Sequence, residues 1–236
     1  DPQCPAVPPA CPSPIPGCPC KDNPIPVGNA DWGIKNILAD QSKKISDGRE
    51  ITVCIADTGI DRNHPALAGK VLNAVSFIQG QGPEDVQGHG THVSGTVTAN
   101  DNNASGKQLS ASNAKILMAK VLDNTGRGSL QGIAQGIQWC GNQPGVKVIS
   151  LSLGADQPSP ILAQVLMETG RKGIVTFAAC GNSNRNSCSW PGKYAANVDN
   201  LWAVVATSPS NGRAAFSQWD PAIHSGSGRI IAAPGT

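Results

Sequence analysis

The sequence predicts an α/β fold, a mostly parallel central sheet with helices on both faces, and three observations carry that prediction. Short apolar, β-branched runs recur along the chain, as strands buried on both faces require. Stretches of helix length separate them, and strands alternating with helices build parallel sheets. Polar residues with chemical potential cluster where the runs end, and in such sheets function gathers at the carboxyl ends of the strands.

Taken in order, residues 1–26 stand apart. "DPQCPAVPPACPSPIPGCPCKDNPIP" holds ten of the nineteen Pro and four of the eight Cys. Pro removes amide donors and fixes φ, so this segment is neither helix nor central strand. It reads as an extension ordered by disulfides among Cys4, Cys11, Cys18 and Cys20, ahead of one domain over 27–236. "ADWGIKNILADQ" reads as a short amphipathic helix or turn-helix segment. Strand runs follow at "REITVCIAD" (49–57), "AKILMAKVL" (114–122), "VKVISLSL" (146–153), "GIVTFAA" (173–179), "LWAVVAT" (201–207) and "RIIAA" (229–233). Between them, residues 90–100 read as a helix. So do 129–140, with Leu130, Ile133, Ile137 and Cys140 at helical spacing, and 159–172, with Ser159 as N-cap and Gly173 as stop.

The bulk numbers narrow the function. A formal net charge of +2 with no long basic run argues against a nucleic-acid partner or an anionic membrane surface. No apolar run approaches the ~20 residues of a membrane helix. The even Cys count without a C-x-x-C pair favours disulfides over zinc, and with them a secreted, extracellular protein. The start at Asp1, with neither Met nor signal peptide, reads as a mature form.

Three strand ends hold candidates for chemistry. Asp57 closes "TVCIAD"; a buried carboxylate there needs hydrogen bonds or a cation, and it could equally cap the Thr58-Gly59 turn. "GHGTHVSG" carries two of the four His, His89 and His92. A zinc reading fails for want of the Glu of H-E-x-x-H and of a third ligand. His89, between two glycines at a helix start, is the better reactive group, and His92 the better structural one. "AACGNSN" presents Asn182 on a turn, where its amide can donate into a cleft as an oxyanion stabiliser does.

An Asp, then a His, then an Asn donor, each at a strand end or helix start, is the order found in serine peptidases of the subtilisin type. From about Trp32 onward the chain resembles that family. "IADTGIDRNHPAL" resembles its Asp motif, "GHGTHVSGTV" its His motif and "KVLDNTGRGSLQGIAQGIQW" and "SLSLG" its substrate-binding segments. "AACGNSN" resembles its oxyanion motif. The resemblance implies a subtilisin-like fold and a secreted serine endopeptidase acting on polypeptides, with Asp57 orienting His89, His89 as general base then acid, and Asn182 on the oxyanion. It implies that Gly126-Arg127-Gly128 and Ser152-Leu153-Gly154 clasp an extended peptide. Leu122, Leu130 and Ile133 would wall the acyl side, and Ser189 would floor an uncharged primary pocket for apolar or uncharged side chains.

There are departures. Ala66 stands where the family's strong calcium site has a carboxylate, although "NDNNASGKQL" (100–109) resembles its calcium loop, with Asn102 and Asn103 as candidate ligands. Calcium is thus a structural candidate only, and the chemistry requires no cofactor. Cys180 takes the place of a small residue; beside this motif it would pair with Cys188, leaving Cys54 to pair with Cys140. No G-T-S-x-A occurs. The resemblance therefore implies that the nucleophilic Ser comes from a segment after Thr236, expected as a second, docked fragment left by a nick. The competing reading is a non-catalytic subtilase-like binding module, which would have no need of Asp57, His89 and Asn182 together. A metal-dependent hydrolase is a more distant one.

Overall fold

The computed structural model describes residues 32–100 and 111–235. Seven strands form one sheet: β1 (Thr52–Asp57), β2 (Val71–Ser76), β3 (Lys115–Lys120), β4 (Val146–Leu151), β5 (Val175–Ala179), β6 (Leu201–Thr207) and β7 (Ile230–Pro234). Their order is β2-β3-β1-β4-β5-β6-β7 and every pairing is parallel, so the expected α/β architecture holds. From β1 the chain crosses to the edge at β2, comes back to β3 beside β1, then passes to β4 and outward to β7, so the connections leaving β1 and β4 run in opposite directions. The carboxyl end of β1 is therefore the switch point where such sheets open a crevice.

Six of the strands follow the apolar runs. β1 is buried at all its positions, which is why its sequence shows no alternation. β2 was not among the predicted strands. It lies at the sheet edge, with Leu72 and Asn73 exposed, so the continuous apolar signature is missing.

The helices are α1 (Trp32–Asn36), α2 (Ala39–Ile45), α3 (His89–Thr98), α4 (Leu130–Asn142), α5 (Pro160–Arg171) and α6 (Pro221–Ser225). α4 starts where Ser129 accepts from the Gly132 amide, and α5 where Ser159 accepts from Leu162. The stretch read as a helix or turn-helix segment over 30–41 forms two helical pieces, α1 and α2, joined by a turn. Leu38, in the left-handed region at φ 52°, separates them. Ile37, Leu38 and Ile45 are exposed, so the expected amphipathic face is not buried.

The sheet separates two cores. On one face, α4 and α5 pack Ile133, Ile137, Leu162 and Leu166 over Cys54, Ile149, Leu151 and Leu201. On the other, α3 brings Val93 and Val97 against Val53, Ile55, Ile116 and Met118. The residues α3 buries completely are small: Gly90, Thr91, Ser94 and Thr98. Beyond α3, this second face is half-buried at Val175, Phe177, Trp202 and Val204, which belong to neither core. Cys54–Cys140 ties β1 to α4, and Cys180–Cys188 closes the loop after β5 with its Cα atoms 4.4 Å apart. Both pairs are those implied by the resemblance. Cys4, Cys11, Cys18 and Cys20 lie outside the described residues.

Candidate active site

Asp57 ends β1 with no exposed surface. Its Oδ1 accepts the Thr58 amide at 2.7 Å and lies 2.7 Å from His89 Nδ1. It is thus both the cap of its own turn and the partner of the histidine. A carboxylate can only accept, so Nδ1 carries a proton, and in the neutral imidazole Nε2 keeps its lone pair. Asp57 Oδ2 is buried with no hydrogen-bond partner among the described residues.

The first turn of α3 sits on the end of β1 because Gly90 lets it. A Cβ there would lie 2.2 Å from the Gly59 carbonyl oxygen. The Gly90 amide donates to Thr58 Oγ1 at 2.9 Å. His89, 43% exposed, is raised above the usual histidine range, first by its hydrogen bond to Asp57 and further by the charges of Asp57 and Asp85, against the opposing effect of burial. His92, half-buried one turn further on, is pushed down by burial and by His89.

Two supporting residues escaped the sequence reading. Asp85 accepts from Thr58 Oγ1 (2.9 Å), the Gly88 amide (2.8 Å), the Thr91 amide (2.8 Å) and Thr91 Oγ1 (2.7 Å). An Asp just ahead of a helix is a start signal, and "EDVQGHGT" carried it. Lys120 ends β3 with no exposed surface and donates to the Thr58 carbonyl and, at 3.1 Å, to Asn124 Oδ1. A lone Lys inside "ILMAKVL" was its trace.

Beyond β4 and β5 opens a cavity of about 300 Å³. Ser152, Leu153, Gly154, Asn182, Ser189 and Gln218 are among its lining residues. The structure thus gathers the second clasp segment, the oxyanion candidate and the predicted floor in one place. Asn182 is exposed there and makes no hydrogen bond among the described residues.

Gly126, Arg127 and Gly128 follow β3 and do not line this cavity. Arg127 spends its amide on Asp123 Oδ1 (3.0 Å) and its carbonyl on the Asp123 amide (2.7 Å). The Gly126 amide likewise donates to the Asp123 carbonyl at 2.9 Å, so only the Gly126 carbonyl and Gly128 keep main-chain groups for a ligand. Leu122 and Ile133 are buried in the α4 and α5 core, with Leu130 and Leu153 half-buried against it.

Asn102 and Asn103 lie outside the described residues. Beside that loop, Ala66 offers no carboxylate, Asn100 Nδ2 donates to the Pro65 and Ala68 carbonyls, and buried Lys70 donates to the Ser112 carbonyl. Hard dications favour carboxylates, and these described neighbours supply none. Among the described residues no group of three or more His, Cys, Asp or Glu is placed to hold a metal ion. Nor, among them, is any helix long and apolar enough to cross a membrane.

The parallel sheet thus carries an Asp–His pair at its switch point and an Asn-walled cavity two strands away. The profile of the subtilase family matches residues 48–236, and the chain belongs to that family. It is 40% identical over 206 residues to Subtilisin BL of Lederbergia lenta, covering 86% of this chain and 71% of that one. It is 37% identical over 206 residues to Thermitase of Thermoactinomyces vulgaris, covering 87% and 70%. Against the Alkaline protease of Alkalihalobacillus alcalophilus it is 40% identical over 206 residues, and there the chain spans half the relative's length.

Proposed function

We propose that this protein is a secreted serine endopeptidase whose base is His89, oriented by Asp57, with Asn182 as oxyanion donor. The observation that carries the reading is the 2.7 Å contact between a buried carboxylate and a half-exposed imidazole at the carboxyl end of β1. His89 Nε2 would take the proton of a serine hydroxyl as its oxygen attacks the peptide carbonyl, and would return that proton to the departing amine. Asn182 would stabilise the oxyanion formed between those steps. The chain itself holds no G-T-S-x-A, so on this reading the serine would come from a segment after Thr236. The half-buried row Val175, Phe177, Trp202 and Val204 is the face such a segment would cover.

The sheet also supports a polypeptide substrate. β1 stops at Asp57, while the chain after β3 and the chain after β4 flank it on either side. Strands two lanes apart leave about 9.6 Å between them, the width of one added strand. An extended peptide laid there takes main-chain bonds from Gly126 and Gly128 on one side and Ser152–Gly154 on the other. Two disulfides among the described residues support an oxidising, extracellular setting. The division into an extension over 1–26 and a peptidase domain over 27–236 belongs to the same proposal.

The test is a serine-directed phosphonate on the full-length protein, followed by intact mass under denaturing conditions. An adduct on a segment beyond Thr236, lost in His89→Ala, supports the reading. No adduct, or immediate loss of activity to a chelator, refutes it.

A further inference from the structure

The cavity beside Asn182 has a floor that the mechanism leaves unused. Gln218 lies in the loop between β6 and α6 and is only 3% exposed, yet it lines the cavity. Its Nε2 donates to the Ser187 carbonyl at 2.6 Å and reaches Ser189 Oγ at 3.4 Å. Its Oε1 accepts the Ser183 amide at 3.2 Å. A carbonyl only accepts and an amide N–H only donates, so these neighbours fix which way the carboxamide faces. The Gln218 amide also donates to the Gly181 carbonyl at 2.9 Å. One side chain therefore fastens both limbs of the 180–188 loop from beneath, over the base already closed by Cys180–Cys188. Gly181, at φ +118°, is what admits it: a Cβ there would meet Gln218 Oε1 at 2.2 Å.

The floor that results is polar and neutral. Ser189 Oγ accepts from Gln218, but its own hydroxyl proton has no acceptor among the described residues. At the rim, Asp156 is paired with Arg185 at 3.4 Å, so the mouth offers no uncompensated charge. An apolar tip seated on this floor would leave the Ser189 proton unpaired and out of water, which costs more than the bond itself gains. A tip with an acceptor oxygen would satisfy it.

We infer that Gln218 is a specificity-determining residue, and that with Ser189 it selects an uncharged side chain ending in a hydrogen-bond acceptor, such as glutamine, on the acyl side of the scissile bond. This rests on the peptidase reading and narrows it, since the resemblance alone implied apolar or uncharged side chains. Sites that hydrogen-bond a substrate group discriminate against its apolar analogue more strongly than apolar pockets discriminate by size.

The test compares two chromogenic peptides differing only at that position, glutamine against norleucine, an apolar side chain of the same length, on the full-length enzyme. The readout is the ratio of their kcat/KM values, which neither the active fraction nor a general loss of catalysis alters. Wild type should favour glutamine by about tenfold or more. Gln218→Met, which keeps the length but not the amide, should bring the ratio to about one or below. If that variant fails to fold, Ser189→Ala, which removes the unpaired proton and leaves Gln218 in place, should collapse the ratio in the same direction. A wild-type preference for norleucine, or a ratio unmoved by either substitution, overturns the inference while the peptidase reading stands. Wild type that cleaves neither peptide and takes no phosphonate overturns both.

Discussion

Replacing Gly90 by Ala should disable the site while changing no functional group. An added Cβ would lie 2.2 Å from the Gly59 carbonyl oxygen and 3.2 Å from both Asp57 Cβ and the Gly59 nitrogen. The obstacle is backbone at the buried end of β1, so no side chain can turn aside. A carbon approaches a carbonyl oxygen no closer than about 3.3 Å without cost, so the first turn of α3 must lift by about 1 Å. His89 rides on that turn. Its 2.7 Å contact with Asp57 would open to about 3.7 Å, beyond hydrogen-bond range. Misplacement of that size costs about 10²-fold in rate, and the overpacking itself about 1–3 kcal/mol of stability. The assay is kcat on a chromogenic peptide with the full-length enzyme, alongside denaturant unfolding of phosphonate-blocked protein. A Gly90→Ala enzyme within threefold of wild-type kcat, with unchanged stability, would show that α3 is not seated on β1 as described.

Three further outcomes follow from the same geometry. Asn182→Ala should lower kcat by about 10²–10³-fold with KM nearly unchanged; a rise in KM alone would make Asn182 a binding residue instead. Because His89 must be neutral to act as base and its pKa is raised, kcat/KM should fall on acidification with a midpoint above the ordinary histidine value of about 6.5. The protonated form's extra stability runs the opposite way, being full below that value and lost as pH rises through the folded pKa, and a kinetic midpoint at or below 6.5 would contradict the Asp57 hydrogen bond. Removing Cys54–Cys140, which spans 86 residues, should cost about 4–5 kcal/mol, against about 2–3 for Cys180–Cys188 across 8; equal losses in denaturant titrations would refute the loop-length account.

What could be read beforehand divides along physical lines. β1 and β3 to β7 were legible because strands inside a parallel sheet must be apolar along their length. β2, exposed at Leu72 and Asn73 on the edge, obeys no such rule. The break at Leu38 was invisible because nothing local favours a left-handed leucine. Asp57, His89 and Asn182 came from the order of motifs along the chain, since each alone also fits a turn or a cap. Gln218 left no trace, because its role arises where two loops distant in sequence meet beneath Gly181.

The inner face of α3 carries a consequence for how the protein can change. α4 and α5 are held by large aliphatic side chains, and such cores accept swaps that conserve volume. α3 is held by Gly90, Thr91, Ser94 and Thr98, with Ser94 Oγ bonded to the Gly90 carbonyl at 2.7 Å and Thr98 Oγ1 to the Ala114 carbonyl at 2.8 Å. No residue of that row can grow without prising the helix from the sheet, and Thr91 and Thr98 cannot become apolar without orphaning the Asp61 amide or the Ala114 carbonyl. The two sides of one sheet thus drift at different speeds, the α4 and α5 side free to be repacked and the histidine's side confined to a handful of small residues.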